Sequence, residues 1–540
     1  MTRRKSSGAL GSLEVALALF FLLAVGLPLV GMFSRLADPE VRMVFGTQAF
    51  VTACENSLAV ASVTTILSVS AALLMAWALC RTAVRGKGAF AVLLTVPMLV
   101  PSLAHGMSLV YLLGSNGILT NLLHGSWSIY GFPGIVMGSF LYSFPPAFLM
   151  IYDVMRYEDA TPYQAADVLG IPKRSQFARI TLPFLRKPLV SAVFATFALV
   201  ITDYGVPLMV GGKVTTLPVL MYQNAVGLLD FDTGAAIGFV LLIPAVVDFL
   251  VDVLARDHSR VRYVSRCFSP RPRAGRDLFG YVAAIAVTFI LLAPIATFCM
   301  VAFVTKYPLD LTPTLANVGR AFTMGTGSYW VNSLFIAIVT SVLGTALSYL
   351  VAYITARVGG FSARFLHLAS VTTLAVPGIV LGLAFSLAFG GSPIYGTFAI
   401  LILVNLVHFI ASPYLMAYNS LSKVNRNLEA VGQTMGVGRA RIVLDVLVPE
   451  TKDTIAEMFS FFFVNCMVTI SAVSFLSTTL DMPLALLVTD LDAQRLVECA
   501  AFVSVLILVT NVIEKVVVAV MRHHRHAQQR STSCAPSIRR

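Results

Sequence analysis

The residues best placed to do chemistry in this sequence are a few ionisable side chains set in apolar stretches, since a charge withdrawn from water is costly and is kept where it is used. Asp203 stands in the run ITDYGVP with Tyr204 beside it, His105 lies close to Pro101, His408 occupies a later apolar run, and Glu457 opens another. Such a group either lines a polar path through the apolar region or bonds a neighbouring segment or interfacial water. Covalent chemistry has no matching constellation. There is no H-E-x-x-H pair, no C-x-x-C and no nucleophile motif, and the seven cysteines lie mostly in apolar runs as small packing residues. Gly211-Gly212-Lys213 lacks the earlier glycine of a phosphate loop and has Val214 where Ser or Thr is required. The expectation is therefore no catalytic residue, no metal site and no cofactor in this chain.

The elements that must position these residues are membrane spans. Of 540 residues 57% are hydrophobic and 12% charged, against about 25% charged in an ordinary soluble domain. The reading is an all-α polytopic membrane protein. Runs of crossing length fall near 13–33, 56–79, 89–113, 134–155, 189–210 and 235–254, then 279–304, 332–356, 366–389, 397–418, 455–476 and 499–521. The first is too long for a signal-peptide core and is read as an uncleaved span.

With twelve crossings, all but six of the 38 Lys and Arg fall on one side, the exceptions being Arg35, Arg42, Lys213, Lys306, Arg320 and Arg495. The positive-inside rule then places both termini in the cytoplasm. The net charge of +12 is spread among loops and ends, which suits membrane orientation and gives no nucleic-acid face.

The halves repeat. Asn56-Ser57-Leu58 returns as Asn332-Ser333-Leu334, and Thr64, Arg81, Pro101 and Gly106 return as Thr340, Arg357, Pro377 and Gly382, each 276 residues later. Beyond the third run the offset is 266, pairing Tyr152 with Tyr418, Gly170 with Gly436 and Pro183 with Pro449. Pro101 and Pro377 predict paired kinks. The division is 1–255 for the first half, 256–278 for a basic Pro-containing linker, 279–521 for the second half and 522–540 for a basic tail. The repeats run parallel, so their pseudo-two-fold axis lies along the membrane normal.

Between the fourth and fifth runs of the first half lies YQAADVLGIPKRSQFARITLP, Tyr163 to Pro183, too polar to span. Gly170 predicts a left-handed cap, Pro172 the start of the next helix, and Ala165 with Ala166 a bare face open to close approach. The spacing resembles the coupling loop of binding-protein-dependent ABC importer permeases, Glu-Ala-Ala, three residues, Gly, nine residues, Ile-x-Leu-Pro. Gln164, Ala165, Ala166, Gly170, Ile180, Leu182 and Pro183 take that register, with Gln in place of Glu. The second copy, LEAVGQTMGVGRARIVLDVLVP, keeps Gly436 and Pro449. It has Ala430, Val431 and Gly432 for Glu-Ala-Ala, Val446 and Val448 for Ile and Leu, and Glu429 one position out.

A chain with two such halves is similar to the fused permease subunits of ferric-iron, thiamine and some 2-aminoethylphosphonate importers. That resemblance implies about twelve transmembrane helices as two parallel six-helix repeats, the type I importer permease fold, in a bacterial cytoplasmic membrane. It implies two copies of an ABC ATPase, carrying the ATP and Mg, gripping the two loops from inside, and a solute-binding protein docking outside. It also implies that Asp203-Tyr204-Gly205 matches a Gly-acid-aromatic-Gly segment near the pathway, with His105 a further candidate. Ferric iron is the first choice of cargo, with 2-aminoethylphosphonate or another small organic solute next. An ion-gradient-driven secondary transporter is the competing class; it would require a buried charge network and leaves the matched loops unexplained.

Overall fold

The computed structural model describes residues 8–125, 127–255, 270, 272–425 and 427–533. Most of the linker and the last seven residues of the tail fall outside these. Among the described residues, eight helices are long and apolar enough to cross a membrane: Gly11–Ala37, Gln48–Arg81, Phe132–Arg156, Lys173–Ile201, Phe231–Val251, Ala274–Val301, Thr326–Val358 and Val497–Arg522. Three bent pairs bring the number to 11 if each is one span. The remaining expected run, 455–476, is the 17-residue helix Lys452–Val468, which ends at an extended Thr469 and gives way to turns from Ser471.

Two of the bent pairs are the predicted proline kinks, and they are sharper than kinks. The chain turns by 101° between Lys87–Leu99 and Ser102–Leu122, and by 109° between Phe361–Ala375 and Gly378–Phe389. Proline lacks an N–H and forces its predecessor out of the helical region. Accordingly Val100 and Val376 are extended, and Pro101 and Pro377 each start a new helix. The second helices of these pairs, Ser102–Leu113 and Gly378–Phe389, are buried on nearly every face. They form the centre of the protein.

The outermost helices carry the reverse of a soluble pattern. On Ala274–Val301 the exposed residues Leu278, Val282, Ile285 and Phe289 recur at helical spacing. They form an apolar stripe facing outward, as a lipid-facing helix requires. The first helix of each half also crosses to the other half: Leu27–Ser34 packs on Gly378–Phe389, and Ala274–Val301 on Ser102–Leu113 and Gln48–Arg81. The halves therefore interlock.

The Asn-Ser pairs found by internal repetition have a shared structural task. Ser57 Oγ accepts the Leu217 N–H at 2.8 Å and Asn56 Nδ2 donates to the Thr215 carbonyl at 3.0 Å. In the second half Ser333 Oγ accepts the Leu484 N–H at 2.6 Å and Asn332 Nδ2 donates to the Leu480 carbonyl at 3.0 Å. Each pair satisfies orphan backbone groups at the start of a later helix, Leu217–Tyr222 or Leu484–Ala493.

Contacts also fix which ends lie together. Glu14 bonds Ser362, beyond the Arg357 end of its helix. Asp277 accepts the Ala83 N–H at 3.0 Å, just past Arg81. Arg522 pairs with Glu457 at 2.9 Å, early in the helix that follows the second loop. The start of the first helix, the start of the second half and the end of the last helix thus all adjoin the loop end of the bundle.

Candidate functional site

The two loops have one backbone geometry at an offset of 266. Helix Thr161–Val168 corresponds to Asn427–Thr434, the short helix Lys173–Gln176 to Arg439–Ile442, and the wide turn Phe177–Thr181 to Val443–Leu447. Gly170 has φ +68° and Gly436 φ +72°. The Ile171 N–H bonds the Ala166 carbonyl at 2.9 Å, and the Val437 N–H bonds the Gly432 carbonyl at the same distance. These are left-handed glycine caps. The loop whose sequence is degenerate is therefore folded like the other.

The faces of the loops differ from a simple small-residue surface. Gln164 and Ala165 are exposed, but Ala166 is only 3% exposed and packs inward, because a helix of two turns lying on the bundle must bury one side. Gly170, Leu182 and Pro183 are exposed and Ile180 is half-buried; in the second loop Ala430, Gly436 and Pro449 are exposed, while Glu429, Gly432 and Val446 are half-buried. Prominent apolar groups shared by both tips were not singled out by the sequence. Leu169 and Met435 occupy equivalent positions just before the glycine, and each is 75% exposed. Pro172 stands at the cap of its helix, one position earlier than expected.

An arginine holds each loop to its half. Arg81, at the end of Gln48–Arg81, ion-pairs with Glu158, donates to the Tyr163 hydroxyl at 3.0 Å and lies 4.4 Å from the centre of its ring. Tyr163 Oη in turn donates to Glu158 Oε1 at 2.5 Å and meets Thr181 Oγ1 at 2.6 Å. In the second half Arg357 Nη1 donates to the Val424 carbonyl at 2.8 Å and Nε to Glu429 Oε1 at 3.2 Å. Val424 is the counterpart of Glu158, and Glu429 of Tyr163. The acid has changed position and the clamp remains. The signal was present in the sequence as an arginine repeated at the ends of two matched apolar runs.

At the centre, Asp203 Oδ2 accepts the Val206 N–H at 3.0 Å, capping the helix Gly205–Val210. Tyr204 is buried; its hydroxyl lies 2.5 Å from Ser474 Oγ in the other half, and its ring stacks on Tyr222 at 5.1 Å. Tyr222 meets Phe475 at 6.2 Å. Tyr204 therefore joins the two halves. His105 is fully buried with Nε2 3.0 Å from the Pro97 carbonyl, which satisfies backbone beside the break. Glu457 pairs with Arg522 of the last helix.

The buried helices approach these turns with exchanged residues. A Cβ on Gly205 would lie 2.3 Å from Ser102 Oγ, and one on Gly378 would lie 2.5 Å from Ser471 Oγ. Ser102 corresponds to Gly378 and Gly205 to Ser471. At each contact a serine faces a glycine, and the halves place them oppositely.

Two interlocked halves with a matched loop on each define a two-fold membrane protein core. The family model for the binding-protein-dependent transport system inner membrane component matches residues 68–260 and again 344–523. The chain belongs to that family, with two permease units fused, and is a multi-pass inner-membrane protein. It is 24% identical over 495 residues to the ferric transport system permease protein FbpB of Actinobacillus pleuropneumoniae, covering 86% of this chain and 71% of that protein. It is 23% identical to FbpB 1 of Haemophilus influenzae, covering 82% and 73%. The sulfate transport system permease protein CysW of Synechocystis is 28% identical over 252 residues, 44% of this chain and 90% of its own length. That match is the length of one half.

Proposed function

We propose that this chain is the permease of an ATP-driven ferric-iron importer, supplying both halves of the pathway to cargo delivered by an extracytoplasmic binding protein. The observation that carries the reading is the pair of loops with matching helix, left-handed glycine and wide-turn geometry, one per half, at the end of the bundle where Glu14 and Arg522 lie. Two copies of an ATPase subunit dock there from the cytoplasm, and ATP and Mg bind to them and not to this chain. Closing of the ATPases draws the loops together and shifts the halves between inward- and outward-facing packings, a two-state equilibrium biased by ligand. Separation of Tyr204 from Ser474 opens the centre in that cycle.

Iron is favoured over 2-aminoethylphosphonate and other organic solutes because proteins named for ferric transport match across both halves, whereas the sulfate permease matches the length of one. The test is uptake in vesicles holding the chain with its ATPase and binding protein, with radioactive ferric iron outside and ATP inside. ATP-dependent accumulation of iron supports the reading. Uptake of 2-aminoethylphosphonate instead changes the cargo, and uptake driven by an ion gradient without ATP removes the coupling-loop reading altogether.

A further inference from the structure

We propose that the groove beside the second coupling loop binds an anionic phospholipid, with the headgroup phosphate on Arg439 and one acyl chain along the apolar wall. The groove has a volume of about 730 Å³. It lies between the helix Thr326–Tyr353, the second helix and wide turn of the loop, and the start of Lys452–Val468, with Leu13 of the first helix at its side. Val342, Ala346, Leu350, Val443 and Phe459 make most of its surface apolar.

Arg439 lines the same groove, half-buried, and has no hydrogen bond or ion pair among the described residues. Its neighbours are already committed: Arg441 pairs with Asp445 at 3.1 Å, and Arg357 with Glu429 at 3.2 Å. The first half shows what has been lost. There the counterpart of Arg439 is Lys173, which pairs with Asp167 at 2.5 Å. The counterpart of Asp167 is Gln433, so the second half keeps the base without the acid.

An unpaired guanidinium at the edge of an apolar groove calls for a ligand with an anionic head and an apolar tail. A guanidinium binds phosphate through a planar fork of donors, and basic pockets between helices on the cytoplasmic side of a membrane are suited to anionic headgroups. A soluble anion would leave the apolar wall in water, and a neutral lipid would leave Arg439 unpaired. Bound lipid would brace the second loop against its spans and make coupling through that loop depend on membrane composition. The proposal rests on insertion in a membrane, but on neither the ATPase nor the cargo, so a chain that takes up no iron leaves it intact.

The test is native mass spectrometry of the full chain in detergent, titrated with phosphatidylglycerol or with phosphatidylcholine of the same acyl chains. Phosphatidylglycerol is expected to bind roughly tenfold more tightly. Arg439→Gln should reduce it to the phosphatidylcholine level, and Arg439→Lys should retain part of the preference. Ala346→Phe, which fills the groove and leaves Arg439 in place, should weaken both lipids. Equal affinity for the two lipids in the unaltered chain, or a preference unchanged by Arg439→Gln, overturns the proposal. So does a result in which Arg439→Gln leaves lipid binding intact and weakens ATPase binding equally in both lipids, which would assign the arginine to that interface.

Discussion

The Arg357 guanidinium lies 3.2 Å from the Glu429 carboxylate, and Glu429 stands in the second loop where Tyr163 stands in the first. Arg81, the counterpart of Arg357, reaches Tyr163 and Glu158 instead. One cation at the end of a long helix thus grips two points of its loop in both halves, although only one of those points carries an acid in each. This link ties each loop to the end of that helix.

Removing the cation should be costly in the first half. Glu158 and Arg81 are both buried, and withdrawing one partner of a buried pair costs about 3–5 kcal/mol. Burial already pushes the Glu158 carboxyl above its ordinary range, with Tyr163 and Arg81 pulling it back; without Arg81 it rises further. A carboxyl raised in the folded state contributes stability below its unfolded pKa, and that stability is lost as pH rises through the folded pKa. Arg81→Met should therefore melt closer to the unaltered protein at pH about 5 than at about 8. Arg81→Met with Glu158→Gln should recover most of the loss, as measured by melting in detergent.

The caps at Gly170 and Gly436 are constrained by backbone conformation, since a Cβ at either would meet nothing within 4 Å. A left-handed residue other than glycine costs about 1–2 kcal/mol, and Asn tolerates the conformation better than most. Gly170→Val and Gly436→Val should each lower retention of the ATPase on purification, and the Asn variants should lower it less. If Gly436→Val leaves retention unchanged, the second loop does not dock.

Leu169 and Met435 are exposed to solvent in this chain and should matter only to a partner. Leu169→Asp or Met435→Asp should change the melting temperature little, within about ±0.5 kcal/mol of stability. Either should reduce ATPase binding about tenfold or more if the side chain fills a pocket at the centre of that interface. Binding isotherms with the purified ATPase check this directly.

The Ser102/Gly205 and Gly378/Ser471 contacts predict a rescue. Gly205→Ser alone forces a side chain onto Ser102 Oγ and should cost about 1–3 kcal/mol. Adding Ser102→Gly relieves that contact and should recover part of the melting temperature, the Ile470 side chain at 2.9 Å and the Leu103 backbone N at 3.0 Å from the new Cβ accounting for the remainder. A double variant no better than the single would show that the two contacts are not equivalent.

The sequence by itself determined the apolar runs, their duplication and the register of both loops. These are local properties: a run long enough to span, a proline that cannot continue a helix, and a glycine needed at positive φ. Pro101 and Pro377 even marked where the chain would break, because the missing N–H and the restricted predecessor act within a few residues. How far it turns, by 101° and 109°, depended on the surrounding helices that receive the buried halves.

Tertiary structure alone decided which residues meet across long separations. Nothing local tells that the first helix of each half packs on the other half, that Ala166 turns inward while Leu169 stands out, or that Tyr204 reaches Ser474. The exchanged acid at Glu158 and Glu429 and the exchanged serine at Ser102 and Ser471 look like mere divergence in one dimension. In three dimensions either member of a contact can supply the charge or the hydroxyl, so the contact persists while its residues trade places.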